Sequence, residues 1–215
     1  MKKNKNKKKS TDKNEEEIIF KIITLGDSGV GKTSIIKKYT TGEFDENNSS
    51  TIGISFSFKD LIINESQKIK LKILDTCGQE KYRSLSKTYF KNANGVFFVF
   101  GLNDKESFDN IKEWMEFFNE NNTIENTPKV LVGNKCDLEI DKELDKALIM
   151  KFSEENKIKY IESSAKNNKN INELFEELGK MLYNQGLPLD QQKANIIIKT
   201  QKKKKNTCIL CYNKL

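Results

Sequence analysis

The sequence predicts an α/β fold, in which a mostly parallel sheet of six strands is covered by helices on both faces. Two observations lead to this prediction. Short apolar segments of strand length alternate along the chain with longer segments of helical periodicity, which is typical of a mostly parallel sheet. The first apolar segment, residues 18–25, ends in a glycine-rich turn, as expected for a strand buried on both faces.

Each element follows from its local pattern. Strands are predicted at residues 18–25, 54–63, 69–74, 95–101, 128–133 and 158–161. In the third strand Ile69, Leu71 and Ile73 alternate with lysines, the period of two that indicates one wetter face. The polar turn 64–67 joins the second and third strands, so we expect them to be antiparallel. Helices are predicted at residues 32–39 and, roughly, at 83–92, 105–121, 141–156 and 170–184.

The charge of the chain is divided between an acidic body and two basic ends. The net charge is +7, of which residues 1–13 carry +6, residues 193–215 carry +7 and residues 14–192 carry −6. Nucleic-acid-binding domains carry their positive charge on the folded face, so no nucleic-acid partner is expected. Basic ends suit attraction to an anionic membrane. The alternative is that the lysines only keep the protein soluble; we favour the membrane for the C-terminal end alone.

Three regions follow from these patterns. Residues 1–17 are predicted to be a disordered basic extension because they lack apolar periodicity. Residues 18–184 form the predicted folded domain, and residues 185–215 a flexible polybasic tail that contains Cys208 and Cys211. No segment approaches the ~18 apolar residues of a membrane-spanning helix. The N-terminus lacks the apolar region of a secretory signal, so we expect a cytosolic protein.

The residue inventory excludes several kinds of chemistry. The chain has no histidine, which removes histidine-based catalytic triads and histidine-ligated zinc. Its four cysteines are expected to be reduced thiols in the cytosol. Cys208 and Cys211 form a single CxxC without a second pair, so a structural zinc site is not expected.

The strongest local motif is the sequence GDSGVGKT at residues 26–33, which matches GxxxxGK[ST] between a predicted strand and a predicted helix. In such a loop the backbone N–H groups and the helix N-terminus bind phosphate oxygens. Lys32 would reach the outer phosphates, and the Thr33 hydroxyl would bind Mg²⁺. The loop alone does not distinguish GTP from ATP, or a switch from a kinase. The candidate phosphate-binding residues are Gly26, Asp27, Ser28, Gly29, Val30, Gly31, Lys32, Thr33 and Ser34.

Four further motifs follow the loop in a fixed order: TIG at 51–53, DTCGQE at 75–80, NKCD at 134–137 and ESSAK at 162–166. With them the sequence resembles the Ras superfamily of small GTPases, and most closely its Rab branch, over residues 18–184. The segments TIGISF, QEKYRSLSKTYFKNANG and ESFDNIKEW are also similar to Rab segments. The resemblance implies the G domain fold of P-loop NTPases.

The resemblance also implies roles at the phosphate end of the site. Mg²⁺ would be held by Thr33, by Thr51 of switch I and, through water, by Asp75. The backbone N–H of Gly78 would contact the γ-phosphate, and Gln79 would orient the attacking water as the catalytic residue.

The base-binding residues follow in the same way. The Asp137 carboxylate is suited to accept hydrogen bonds from the N1–H and exocyclic amine of guanine, a donor pair that adenine lacks. By resemblance, Phe44 would pack on the base and the Ala165 N–H would meet the guanine O6. The candidate guanine-binding residues are Phe44, Asn134, Lys135, Asp137, Ser164, Ala165 and Lys166.

The implied function is a monomeric switch in vesicle trafficking that binds GTP or GDP with Mg²⁺ and hydrolyses GTP. Hydrolysis would be slow without an activating protein, because the only arginine, Arg83, follows Gln79 and none lies in switch I. Exchange factors, activating proteins and effectors are the expected partners. Two alternatives remain: a Ras-type signalling GTPase at the plasma membrane, and a nucleotide-binding scaffold without hydrolysis. Intact Gln79, Thr51 and Asp75 argue against the second.

Several positions depart from the Rab pattern. Leu74 stands where Rab proteins usually have tryptophan, Asn48 replaces the switch I tyrosine, and Cys77 replaces alanine. A phenylalanine, Phe100, begins the segment FGLN where YDxT is more common. None of these positions is expected to contact the nucleotide, so the departures concern partner identity.

The C-terminus departs as well, since it ends in CILCYNKL rather than in CC, CxC or a CaaX sequence. We expect lipid on Cys208, Cys211 or both, because one hydrophobic chain beside a lysine run gives the two signals that stable anchoring requires. The protein would then lie at the cytoplasmic face of an endomembrane or the plasma membrane. Unmodified cysteines remain the alternative.

Overall fold

The computed structural model describes residues 18–46, 51, 53–65, 67–76 and 88–186, and within them six strands form one sheet. In chain order the strands are β1 Ile19–Leu25, β2 Ile54–Asn64, β3 Gln67–Thr76, β4 Gly95–Gly101, β5 Lys129–Asn134 and β6 Lys159–Glu162. The helices are α1 Lys32–Thr41, α2 Lys105–Asp109, α3 Ile111–Asn121, α4 Lys146–Glu155 and α5 Ile171–Gln185.

The strand order in the sheet is β2-β3-β1-β4-β5-β6. Strands β2 and β3 are antiparallel, with Ile54 opposite Thr76. The other four neighbouring pairs are parallel. This arrangement confirms the predicted α/β fold with a six-stranded, mostly parallel sheet, including the antiparallel pair around the turn at 64–67.

Helices cover both faces of the sheet because successive side chains of the central strands point to opposite faces. Phe97 of β4 packs in the cluster formed with α1 and α5, whereas Phe98 packs in the cluster formed with α2, α3 and α4. All seven residues of β4 are buried. This is the environment in which a strand can be apolar without interruption.

The predicted helix at 105–121 is two helices, separated at Asn110. The apolar spacing continues across this point, because Phe108 of α2 and Ile111 and Trp114 of α3 all pack in the same cluster. Periodicity therefore did not reveal the interruption. Of the predicted helix at 83–92, residues 83–87 lie outside the described residues. Residues 88–90 are helical, but 91–92 form a turn, so the helix ends before the predicted residue 92.

The predicted helix at 141–156 begins later, at Lys146. Asp145 is its N-cap and accepts a hydrogen bond from the Ala147 N–H at 3.0 Å. Asp141 instead accepts hydrogen bonds from the backbone N–H groups of Lys105 and Glu143, and residues 142–143 form a turn. Because these two acidic side chains bind backbone N–H groups at or before the first helical turn, the helix begins at Lys146 rather than at residue 141.

The predicted N-terminal extension, residues 1–17, and all but residues 185–186 of the predicted tail, 185–215, lie outside the described residues. Among the described helices, none is long and apolar enough to cross a lipid bilayer. The longest of them, α5, has 15 residues.

The aromatic cluster on one face provides a test of the fold. Phe175 of α5 is fully buried, stacks on Tyr39 with ring centroids 3.7 Å apart and meets the edge of Phe97 at 5.1 Å. Phe175→Ala should lower the free energy of unfolding by about 3–5 kcal/mol, because it leaves a cavity against two rings. The same change at Phe58, which is 57% exposed, should cost less than about 1 kcal/mol. Urea denaturation measures both; equal losses would contradict the packing described.

Candidate functional site

The predicted phosphate loop, residues 26–33, follows β1 and leads into α1, and it packs closely on neighbouring strands. Gly26 has φ +142°, and a Cβ there would overlap with the carbonyl oxygen of Val99 in β4. Gly31 has φ +96°, and its Cβ would overlap with the side-chain amide of Asn134. That amide donates a hydrogen bond to the Val30 carbonyl at 2.9 Å. Glycine is therefore required at two points where the loop meets neighbouring strands.

Lys32 places a buried positive charge inside this loop. Its side chain is only 5% exposed, and Nζ donates to the carbonyl oxygens of Gly26 at 2.8 Å and Asp27 at 2.6 Å. Helix α1 begins directly at Lys32, has no side-chain cap at Gly31 and has no acidic residue in its first turn. Uncapped N–H groups at a helix N-terminus and an ammonium together favour an anion such as phosphate.

Three side-chain oxygens meet beside this loop. Thr33 Oγ1 lies 2.6 Å from Thr51 Oγ1 and donates a hydrogen bond to Asp75 Oδ2 at 2.7 Å. Asp75 is 4% exposed, and its other oxygen, Oδ1, is buried without a hydrogen-bond partner among the described residues. Burial raises the pKa of the Asp75 carboxyl, an effect that the Thr33 hydrogen bond and the nearby Lys32 ammonium oppose.

This oxygen set fits Mg²⁺, a hard cation that binds oxygen and commonly uses one or two carboxylates together with phosphates and water. The unpartnered Oδ1 of Asp75 is the kind of acceptor that a hydrated cation would satisfy. Among the described residues there is no group of three or more acidic, histidine or cysteine side chains suited to a metal. A site here would therefore depend on two hydroxyls, one carboxylate and the ligand's own oxygens.

The other end of the site lies after β5 and β6. The Ser164 hydroxyl donates to Asp137 Oδ1 at 2.5 Å, and the Ser163 hydroxyl donates to Asn134 Oδ1 at 3.2 Å. Both serines are fully buried. The two serines thereby fix the side chains of Asn134 and Asp137 in the NKCD segment. Lys166 is half exposed and pairs with Glu46, which raises the pKa of the lysine.

One cavity of about 410 Å³ joins the two ends. At the phosphate end its lining includes the predicted residues Ser28, Gly29, Gly31, Lys32, Thr33, Ser34 and Thr51. At the other end it includes the predicted residues Phe44, Asn134, Lys135, Asp137, Ala165 and Lys166. This volume lies within the range of small-ligand sites. The two ends of the cavity differ in chemistry.

Some predicted site residues do not line the cavity. These are Gly26, Asp27, Val30, Asp75 and Ser164, which surround it and contact lining residues or the loop. The predicted catalytic Gln79 and the predicted phosphate contact Gly78 lie outside the described residues, as do Cys208 and Cys211.

Other contacts at the site were not predicted. Asp45, Glu46, Thr76 and Leu138 also line the cavity. Asp27 accepts hydrogen bonds from Asn110 and Trp114, which lie more than 80 residues away in sequence. Ser163 and Thr76 were accessible to sequence reasoning, because they lie within the ESSAK and DTCGQE motifs.

Departures from the Rab pattern fall on different parts of the fold. Leu74 is fully buried in the core beneath the sheet. Beside it on β2, Phe56 is 44% exposed, and its ring lies 6.0 Å from that of Tyr89. Phe100 is fully buried, and Asn48 and Cys77 lie outside the described residues. Leu74 itself therefore offers no exposed surface, whereas its cross-strand neighbour Phe56 does.

The chain is similar to known proteins over most of its length. The family model described as Ras family matches residues 21–184. Ras-related protein Rab-13 of Canis lupus familiaris is 37% identical over 162 residues, which cover 75% of this chain and 79% of that protein. Ras-related proteins Rab-8B and Rab-1D of Dictyostelium discoideum are 34% and 38% identical, over 89% and 79% of this chain and over 94% and 82% of their own lengths. The chain therefore belongs to the Ras family, as a Rab-like small GTPase.

Proposed function

We propose that this GTPase is a molecular switch that binds GTP or GDP together with Mg²⁺, hydrolyses GTP and acts in vesicle trafficking. One observation supports the nucleotide chemistry above all others. A buried lysine and the oxygens of Thr33, Thr51 and Asp75 converge at one end of a cavity whose other end presents Asp137. A ligand with phosphates at one end and a hydrogen-bond-donating base at the other matches both chemistries.

The phosphate end would supply electrostatic stabilisation. The Lys32 ammonium, oriented by two loop carbonyls, and the N-terminal N–H groups of α1 would bind the β- and γ-phosphate oxygens. Thr33, Thr51 and Asp75 would hold Mg²⁺, which supplies charge neutralisation on the phosphate oxygens when it is bound. Gln79 would orient the attacking water, and the Gly78 N–H would contact the γ-phosphate. Water would attack the γ-phosphorus of GTP in line with the bond to the β–γ bridging oxygen, which breaks, so that GDP and inorganic phosphate are the products.

The base end would select guanine through Asp137. The Ser164 hydroxyl fixes Asp137 Oδ1, so the carboxylate keeps one orientation toward the cavity. Phe44 and Lys166 line the same end and would pack on the two faces of the base, with Asn134 and Lys135 bracing the loop and the Ala165 N–H meeting O6.

Asp137→Asn should shift the preference of the protein from guanine toward xanthine nucleotides. An amide can donate a hydrogen bond to the 2-oxo group of xanthine, where the carboxylate accepts one from the guanine amine. Competition of GDP and XDP for the wild-type protein and the variant measures the change, which should be at least about tenfold in relative affinity. A variant that keeps the wild-type preference would show that Asp137 does not contact the base.

Gln79→Leu should leave the affinity for GTP within about threefold of wild type but slow single-turnover hydrolysis at least about tenfold, because it removes a group that positions water and no ground-state phosphate contact. Gln67→Leu is the matched control, since Gln67 starts β3 on the exposed side of the hairpin. Wild-type hydrolysis by the Gln79 variant would remove this residue from the mechanism.

Partner binding is proposed at the open end of the β2–β3 hairpin, where β2 begins and β3 ends. Phe56 and Tyr89 present two half-exposed rings there, and the Lys72 ammonium lies 4.7 Å from the Phe56 ring centroid. A surface that combines aromatic rings with a cation suits effector proteins. Exchange factors and activating proteins would act on the same nucleotide site, and the chain would work as a monomer.

Membrane attachment is proposed for the C-terminal tail. Lys202–205 could contribute up to about 4 kcal/mol of attraction to an anionic surface at modest ionic strength, at roughly 1 kcal/mol for each lysine. Salt screening makes this too little for stable anchoring without a lipid chain. We therefore place lipid on Cys208, Cys211 or both, and the protein at the cytoplasmic face of an endomembrane.

Replacing both Cys208 and Cys211 with Ser should release the protein from membranes into the soluble fraction of its own cells. Neutralising the four lysines at 202–205 should weaken or redirect membrane binding without abolishing it, because the lipid remains. Cell fractionation and intact-mass analysis, with any tag at the N-terminus, give both results. An unmodified C-terminus together with unchanged fractionation of the double variant would rule out the lipid anchor.

A further inference from the structure

The carboxylate of Asp27 points away from the nucleotide cavity, although Asp27 belongs to the phosphate loop. It does not line the cavity. Its Oδ2 accepts a hydrogen bond from Asn110 Nδ2 at 2.7 Å, and its Oδ1 accepts one from Trp114 Nε1 at 2.7 Å. Short bonds to an ionised acceptor are about twice as strong as neutral ones.

Both donors come from one helical segment. Asn110 separates α2 from α3, and Trp114 lies four residues later, so the two side chains share a face. Trp114 is 3% exposed, and a buried indole N–H needs an acceptor. Asn110 stands at the N-cap of α3, yet its side chain makes no capping bond. Its amide is directed to the phosphate loop instead.

The same residue of the loop also holds Lys32. The Asp27 carbonyl accepts a hydrogen bond from Lys32 Nζ at 2.6 Å. A fixed Asp27 side chain therefore fixes the carbonyl that orients the ammonium. Because Lys32 is buried, a small displacement of this carbonyl changes where the ammonium points.

We propose that Asn110 and Trp114 are positioning residues for nucleotide binding. They hold Asp27 so that its carbonyl orients Lys32, and they keep its carboxylate turned from the phosphates, which it would otherwise repel. The inference rests on the proposed nucleotide site and adds to it a contact through which the α2–α3 junction controls nucleotide release.

The decisive test exchanges donor and acceptor. Asn110→Asp places a second carboxylate opposite Asp27, so the two repel and release of GDP should become about tenfold faster or more. Adding Asp27→Asn returns one amide and one carboxylate to the pair, with an amide oxygen still available to the Trp114 indole. The double variant should release GDP within about threefold of the wild-type rate. Release is measured with a fluorescent GDP analogue in Mg²⁺, displaced by excess GDP.

Trp114→Phe keeps the buried ring but removes the donor, and it should also release GDP several-fold faster. Phe118→Leu is the matched control. Phe118 is a buried residue of the same helix that packs on Phe98 and Phe90, so its variant should melt at a lower temperature without faster release.

The outcomes separate the possibilities. Wild-type release rates in both Asn110→Asp and Trp114→Phe would overturn the proposal, as would equally fast release in Phe118→Leu, which would indicate general destabilisation. The proposal would also be overturned if the double variant still released GDP fast while the emission of its single tryptophan matched that of the wild-type protein. Failure of the wild-type protein to bind GDP would instead contradict the proposed function itself.

Discussion

The close packing of the phosphate loop against β4 and β5 is the constraint on which the site depends. The Val99 carbonyl leaves no room for a side chain at Gly26, and Asn134 leaves none at Gly31. The Asn134 amide then ties the Val30 carbonyl to the end of β5. A loop held in this way turns its backbone around Lys32, whose ammonium is bound by two loop carbonyls. The same Asn134 lies at the opposite end of the cavity, so one side chain fixes the distance between the two ends.

The parallel sheet brings the remaining groups to the same edge. Strands β1, β3, β5 and β6 all end there, and the residues that follow their carboxyl ends form the site. Leu74 pairs with Ile23, which places the next residue, Asp75, beside the start of the phosphate loop. Gly133 pairs with Glu162, which places the segment after β5 beside the serines after β6. Residues distant in sequence therefore meet because of strand register rather than through any local preference.

This dependence on register explains what the sequence could predict. The strand positions and the mostly parallel character of the sheet follow from local patterns, and the structure confirms both. Contacts between segments are not local. Periodicity carries a single helix through Asn110, whereas the structure interrupts it where that side chain meets Asp27. Ser164 was expected at the base, but it is buried behind Asp137. The pair of Glu46 with Lys166 has no sequence pattern at all.

On our proposal a polyphosphate binds beside two acidic side chains, and the structure satisfies the charge of each in a different way. Asp27 is turned outward and its negative charge is satisfied by two N–H donors. Asp75 is buried, has one oxygen on Thr33 and has the other without a partner among the described residues. The first carboxylate is thus turned from the site by the protein's own structure, whereas the second keeps an acceptor that a cation would satisfy on our proposal. On our proposal that cation arrives with the nucleotide, so binding supplies an interaction that the domain alone lacks, and the folded state is stabilised by its ligands.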